Sequence, residues 1–359
     1  MLLSLPALIM CRWSLLNAND KYWEEKIGTR ALEIDGRRLN PRAQAYIALI
    51  EKLSIPQEQW TPKRLRLGFD KTTALFNGPI TPVSHVRDIE LRLPGRNIAA
   101  RQYCDNPAES GRPGILFFHG GGFVIGSLQS HDSFCRTLAA LSGNDVIAVD
   151  YRLAPEHRMP AALEDAVDSW DWLIENAAIL GLNPDRLTVV GDSAGAHMAV
   201  KLASETSKRS ETTGQPKAIG LIYPPMIHKG ITKSRELLGK EKIILTNELL
   251  DWFECHYLPE SLDALQDQQN FLDNAIAGSM PPTWILTCGF DPFRDEARML
   301  AGRLTELEAE VEFIEYSDQY HGFITLSGLF RGQINTLISD MSEFLNSHNK
   351  PFASGNDQE

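Results

Sequence analysis

From residue 114 to residue 316 the chain alternates between two hydrophobic patterns, and this alternation is its main structural signal. Short apolar, β-branched runs read as buried strands at 114–118, 145–150, 186–190, 218–223, 283–288 and 311–316. Between most of them, apolar residues recur three and four apart, the period of a helix, at 133–141, 161–176, 194–203 and 294–307. A last helical run spans about 329–345. Two further strands, 86–93 and 98–103, flank the turn Pro94-Gly95-Arg96. Repeated strand–helix units pair in parallel through crossovers, so the pattern predicts an α/β fold: a mostly parallel central sheet flanked by helices.

Two regions break the rhythm. Residues 19–77 are helical in pattern, with Ala45, Ile47, Ala48, Leu49 and Leu53 on one run and a second amphipathic run at 62–76. Residues 224–280 form a long, largely helical insertion that includes 247–257. Residues 1–10 are apolar, but no Lys or Arg precedes them and no small-residue cleavage site follows. Ten residues are too few to span a bilayer, so the segment reads as an extension or an upstream start, with a signal peptide as the alternative. The tail, 348–359, reads as disordered.

Composition narrows the function classes. The 359 residues are 43% hydrophobic and 23% charged, with a net charge of −12 that disfavours nucleic acid and anionic membrane surfaces as partners. The five cysteines are scattered with no C-x-x-C pair, which suggests free thiols and a cytoplasmic location. The histidines show no metal-ligand spacing, so no metal is expected. Oligomeric state is open, a homodimer included.

Two glycine motifs carry the chemistry. Gly191-Asp192-Ser193-Ala194-Gly195 is a G-x-S-x-G elbow: a serine on a sharp strand-to-helix turn, with side-chain-free neighbours, exposes its Oγ. His119-Gly120-Gly121-Gly122-Phe123 follows an apolar strand and is a glycine turn that supplies backbone N–H groups to an oxyanion. Neither motif has the spacing of a phosphate loop or a dinucleotide fingerprint. A serine nucleophile needs a base and an orienting carboxylate, in the chain order Ser, acid, His. His321 follows the strand 311–316 and fits the base. Asp291 and Asp295 both follow the strand 283–288. Asp291 precedes a loop-fixing proline, whereas Asp295 lies inside the next helix, where a charge partner of the helix start is expected. His197, in the first turns of the elbow helix, is expected to face away from the cleft.

The ordered set HGGGF, Asp150-Tyr-Arg-Leu-Ala-Pro-Glu156, GDSAG, Asp291-Pro-Phe-Arg-Asp-Glu296 and His321-Gly-Phe323 resembles the hormone-sensitive-lipase family of microbial esterases, from about residue 80 to 345. Within it, the chain is most similar to the bacterial acetyl esterases. The resemblance implies an α/β-hydrolase core at 81–347 and a mainly helical cap built from the N-terminal segment, 1–80, and the insertion. It implies no metal or organic cofactor. It assigns Ser193, Asp291 and His321 to a catalytic triad and the N–H groups of Gly121, Gly122 and Ala194 to an oxyanion hole. His119, Gly120 and the 151–156 segment become support for the glycine turn. The expected reaction is hydrolysis of a small-molecule ester, acetyl to about hexanoyl, through an acyl-enzyme. The same triad suits amidase or peptidase chemistry, and a non-catalytic ligand-binding scaffold would have lost one of its members.

Overall fold

The computed structural model describes residues 5–209, 214–226, 232–259 and 280–349. The N-terminal part is helical: α1 (Leu5–Asn17), α2 (Asp20–Ile27), then a small hairpin of β1 (Glu33–Ile34) and β2 (Arg37–Arg38), then α3 (Pro41–Leu53) and α4 (Pro62–Phe76). Local sequence sets the helix starts. The side chains of Asn19, Asn40 and Thr61 accept backbone N–H groups at α2, α3 and α4, and a proline opens each of α3 and α4.

A hairpin follows, β3 (His85–Leu93) and β4 (Arg96–Cys104), and then the alternating part begins: β5 (Arg112–Phe118), α5 (Asp132–Ser142), β6 (Asp145–Val149), α6 (Ala161–Asn176), β7 (Leu182–Asp192), α7 (Ala194–Ser207) and β8 (Ile219–Ile222). After β8 come α8 (Lys233–Leu238) and α9 (Asn247–Tyr257), both in the insertion. The chain then continues with β9 (Thr283–Phe290), α10 (Arg294–Glu306), β10 (Val311–Tyr320) and α11 (Ser327–His348). The rest of the insertion, 227–231 and 260–279, and the tail from 350 lie outside the described residues. Asn349 does not belong to a loose tail: it is buried, and its amide donates to the Arg186 carbonyl at 3.1 Å.

Among the described residues, eight strands form one sheet in the order β10-β9-β8-β7-β5-β6-β4-β3, parallel except at the β3–β4 and β4–β6 pairs. Side chains alternate across it. Ile115 and Phe117 join one core with α5, α11 and the N-terminal helices, while Leu116 and Phe118 join another with α6, α7 and α10. The chain passes from β5 to β6 on one side, then crosses back to place β7 on the other side of β5. Such a reversal opens a crevice at the carboxyl ends of the two strands, the usual ligand site of an open α/β sheet. The register brings those ends level: Phe118 pairs with Gly191, Asp192 with Ile222, Ile222 with Leu286, and Phe290 with Tyr320.

Several strands, β7, β9 and β10 most of all, run longer than the hydrophobic pattern predicts. β9 continues past Gly289 to Phe290, and β10 continues through the polar stretch 317–319, with a register shift, to Tyr320. Main-chain pairing between them overrides the loss of apolar alternation. Asp291 and His321 consequently leave the sheet immediately after its edge.

The segment after β6 is braced by one carboxylate. Asp165 of α6 is fully buried; it accepts the Arg152 main-chain N–H at 2.8 Å and the Arg96 Nε–H at 2.6 Å. Removing one partner of a buried charge cluster costs more than the cluster contributes net. Asp165→Ala is expected to lower stability by about 3 kcal/mol in urea unfolding, and an unchanged midpoint would contradict this role.

Candidate active site

Ser193 is the first residue after β7 and has φ 52° and ψ −121°, a conformation that L-residues avoid at a cost of about 1–3 kcal/mol. The sheet and α7 hold it there: the Ser193 N–H donates to the Ile222 carbonyl at 2.9 Å, and the Ser193 carbonyl accepts from the His197 N–H at 3.1 Å. The elbow presses against the end of β5. A Cβ at Gly195 would overlap the Phe118 carbonyl and come 2.9 Å from that of His119, so this position admits glycine alone.

The glycine turn leaves β5 beside it. Gly121 and Gly122 have φ of 124° and 59°, and the carbonyl of Gly121 accepts the N–H groups of Val124 and Ile125. The turn is tied to the elbow by Asp192. This buried carboxylate accepts the Gly120 N–H at 2.7 Å and the Tyr223 hydroxyl at 3.1 Å, and it lies 3.3 Å from Nε2 of His131. Burial alone would raise the Asp192 pKa; the His131 ring and the Gly120 N–H outweigh it and hold the carboxyl below its usual range. Burial and the neighbouring carboxylate push the Tyr223 phenol well up, so it stays a donor.

A second support lies behind the turn. The Tyr151 hydroxyl donates to the His119 carbonyl at 2.8 Å, and the two rings stack 4.3 Å apart. Ala154 donates its N–H to the Phe123 carbonyl, and Arg66 of α4 reaches the Val124 and Ala154 carbonyls while pairing with both Glu156 oxygens.

The structure brings Ser193, His321 and Asp291 into one line. His321 Nε2 is 2.8 Å from Ser193 Oγ, and its Nδ1 is 2.8 Å from Asp291 Oδ2. Asp291 is fully buried, and its other oxygen accepts the Phe293 N–H at 2.8 Å. The rings of Tyr223 and Phe293 flank the imidazole at 4.4 and 5.3 Å. Asp295 is directed elsewhere, to the Ser234 N–H and Arg298. His197 lies off the cleft with Nδ1 at the Pro225 carbonyl.

Ser193 and His321 open into a cavity of about 230 Å³ that the glycine turn and Ala194 also line. Its far walls are apolar: Phe69 of α4, Leu245, and Leu249, Leu250, Phe253 and Tyr257 on or beside α9. The helices α1–α3 instead pack on the core beneath the sheet through Leu15, Trp23, Tyr46 and Ile47. Among the described residues, no cluster of His, Cys, Asp and Glu could hold a metal ion, and no helix is long and apolar enough to cross a membrane.

Sequence spacing located Ser193, Asp291, His321 and the glycine turn, but it missed Asp192, Tyr223, His131 and Phe253. Asp192 was visible as the second letter of the elbow motif. The others come from distant elements with no local signature.

Two buried histidines make stability depend on pH. Burial lowers the His119 pKa to about 3, helped by the nearby His131 ring, and lowers that of His197 to about 4. Both are neutral in the fold and take up a proton once unfolded below about pH 6.5. Their contribution is therefore complete above that pH and shrinks as pH falls toward 3–4. Between pH 6.5 and 5 each is expected to cost about 2 kcal/mol of stability. Urea midpoints of His119→Gln and His197→Gln across this range should fall less steeply than wild type; identical slopes would contradict the assignment.

Residues 115–325 match the alpha/beta hydrolase fold family. An ethyl acetate hydrolase of Pseudomonas putida is 32% identical over 300 residues, covering 81% of this chain and 93% of that protein. An acetyl esterase of Salmonella paratyphi A is 30% identical over 68% of this chain and 75% of its own length. Among solved structures, a hyperthermophilic esterase from the archaeon Pyrobaculum calidifontis superposes with a TM-score of 0.79 at 32% identity, covering 86% of this chain and 98% of that one. The chain thus belongs to the alpha/beta hydrolase fold family and, within it, to the hormone-sensitive-lipase-like carboxylic ester hydrolases.

Proposed function

We propose that the chain hydrolyses short-acyl esters, acetyl to about hexanoyl, through an acyl-enzyme on Ser193. The observation that carries this reading is the unbroken Asp291–His321–Ser193 line, with both contacts at 2.8 Å, facing a small apolar cavity.

In the proposed mechanism, Ser193 Oγ attacks the ester carbonyl as His321 Nε2 takes its proton. Asp291 accepts the Nδ1–H, fixing the tautomer and stabilising the imidazolium. The N–H groups of Gly121, Gly122 and Ala194 receive the negative charge on the tetrahedral oxygen, each such donor contributing about 2.7–4 kcal/mol. Collapse expels the alcohol, protonated by Nε2–H. Water then attacks the acyl-serine by the same route, releasing the acid and restoring Ser193. The roles of His119 and Gly120 are to hold the turn.

The roof over this site, α4 with α8 and α9, acts as the cap. A cavity of about 230 Å³ falls below the roughly 300–1,000 Å³ of sites that enclose drug-sized ligands, which favours small esters. The ring of Phe253 lies on the turn itself, 2.5 Å from where a Gly122 Cβ would stand, and closes the apolar side. The relatives named for ethyl acetate and acetyl esters support the same size class. The free thiols, with Cys104, Cys135 and Cys288 buried, support cytoplasmic residence.

Turnover of p-nitrophenyl esters from acetate to palmitate tests the proposal. Wild type should favour short chains, and Ser193→Ala should lose activity by about 10⁵-fold or more. Activity rising through dodecanoate would sink the chain-length claim, and a Ser193→Ala protein at wild-type rates would sink the mechanism. Phe253→Ala should move the preferred acyl chain to longer esters with little change in kcat for acetate. An unmoved preference would show that Phe253 is not the limiting wall.

A further inference from the structure

In a cavity whose far walls are apolar, α8 and α9 contribute two charged side chains, Arg235 and Glu254. Arg235 is held tightly. Its Nε–H donates to Glu296 Oε1, its Nη1 lies 3.9 Å from Glu254, and its guanidinium sits 4.9 Å above the Phe293 ring. Glu296 is fully buried, and its second oxygen accepts the Met226 N–H at 2.7 Å. The carboxylate thus pins both the exit of β8 and the start of α8 onto α10.

Phe293 is the link to the chemistry. Its N–H donates to Asp291 Oδ1, and its ring meets the His321 imidazole edge-on at 5.3 Å and 77°. One face of the ring is thus covered by Arg235 while it bears on the histidine. Guanidinium suits this place: it is planar, stacks on an aromatic face, and directs Nε–H to a carboxylate at the same time, which a lysine ammonium does not.

From this arrangement the geometry points to Arg235 as a positioning residue: through Phe293 it fixes the His321 imidazole between Asp291 and Ser193. The inference rests on the Ser193–His321–Asp291 reading above. It makes the insertion more than a pocket wall, because a side chain from α8 sets the alignment of the base.

Steady-state kinetics with p-nitrophenyl acetate, on Arg235→Met, Phe293→Leu and the double variant, tests it. Arg235→Met should lower kcat about tenfold, within the span of one desolvated cation–π contact, with KM nearly unchanged. Arg235→Lys should recover part of the loss. Residues that act through one another are non-additive, so the double variant should be no slower than Phe293→Leu alone. Glu296→Gln, which keeps an acceptor for Met226, should lower kcat in the same way and serves if Arg235→Met does not fold. The inference is overturned if Arg235→Met changes KM alone, or if the two losses multiply. Ser193-dependent turnover in wild type with an undiminished Arg235→Met kcat overturns this inference and leaves the esterase reading standing. If wild type shows no Ser193-dependent turnover, both fall.

Discussion

The register of the parallel strands is the constraint on which this molecule depends. Because Phe118, Asp192, Phe290 and Tyr320 end their strands at one edge, the next residues (His119, Ser193, Asp291 and His321) emerge side by side. A one-residue slip in any pairing would turn every side chain of that strand to the opposite layer and carry its terminal residue out of reach. The buried apolar faces of β5, β7 and β9 make such slips costly, so the same packing that stabilises the sheet also places the site.

Placement alone does not aim the groups. The elbow and the glycine turn are both backbone shapes with little intrinsic preference to form, and each is held by the other. Gly195 lets the elbow touch the end of β5, and Asp192 draws the Gly120 N–H toward it. The Asp192 carboxylate is desolvated and is balanced by one main-chain donor, one phenol and one imidazole, so removing a partner would leave charge without compensation. Tyr223 extends this balance to the other side of the cleft, where its ring flanks His321. The elbow, the glycine turn and His321 are therefore tied to one polar cluster.

The strand–helix alternation was legible because the strands are buried on both faces and read as plain apolar runs. The spacing predicts helix 161–176 to its observed ends, since its period is clean and Pro160 precedes it. Strand ends were harder. The last residues of β9 and β10 include Gly289 and the polar 317–319, which lie in a register shift between the Tyr316–Cys288 and Tyr320–Phe290 pairs, and no local pattern encodes where pairing resumes. The site followed the same division. Ser193 and the glycine turn announce themselves, because backbone strain demands glycine at fixed offsets, and Asp291 and His321 are placed by chain order. Asp192, Tyr223, His131 and Phe253 matter through contacts between residues 31 to 131 positions apart, and such contacts are set only by the fold. The N-terminal helices divide in a way that periodicity does not encode: α4 reaches the cavity, while α1–α3 support the opposite core.

The central claim is that Ser193 is the nucleophile activated by this arrangement. Reaction with diethyl p-nitrophenyl phosphate, followed by peptide mass spectrometry, tests it most directly, because the phosphoryl adduct is stable where an acetyl adduct would be hydrolysed. The account predicts one equivalent of p-nitrophenolate per chain, a single diethylphosphoryl group on Ser193, and loss of ester turnover in step with labelling. Modification at another residue, or full ester turnover by a chain labelled on Ser193, would contradict it.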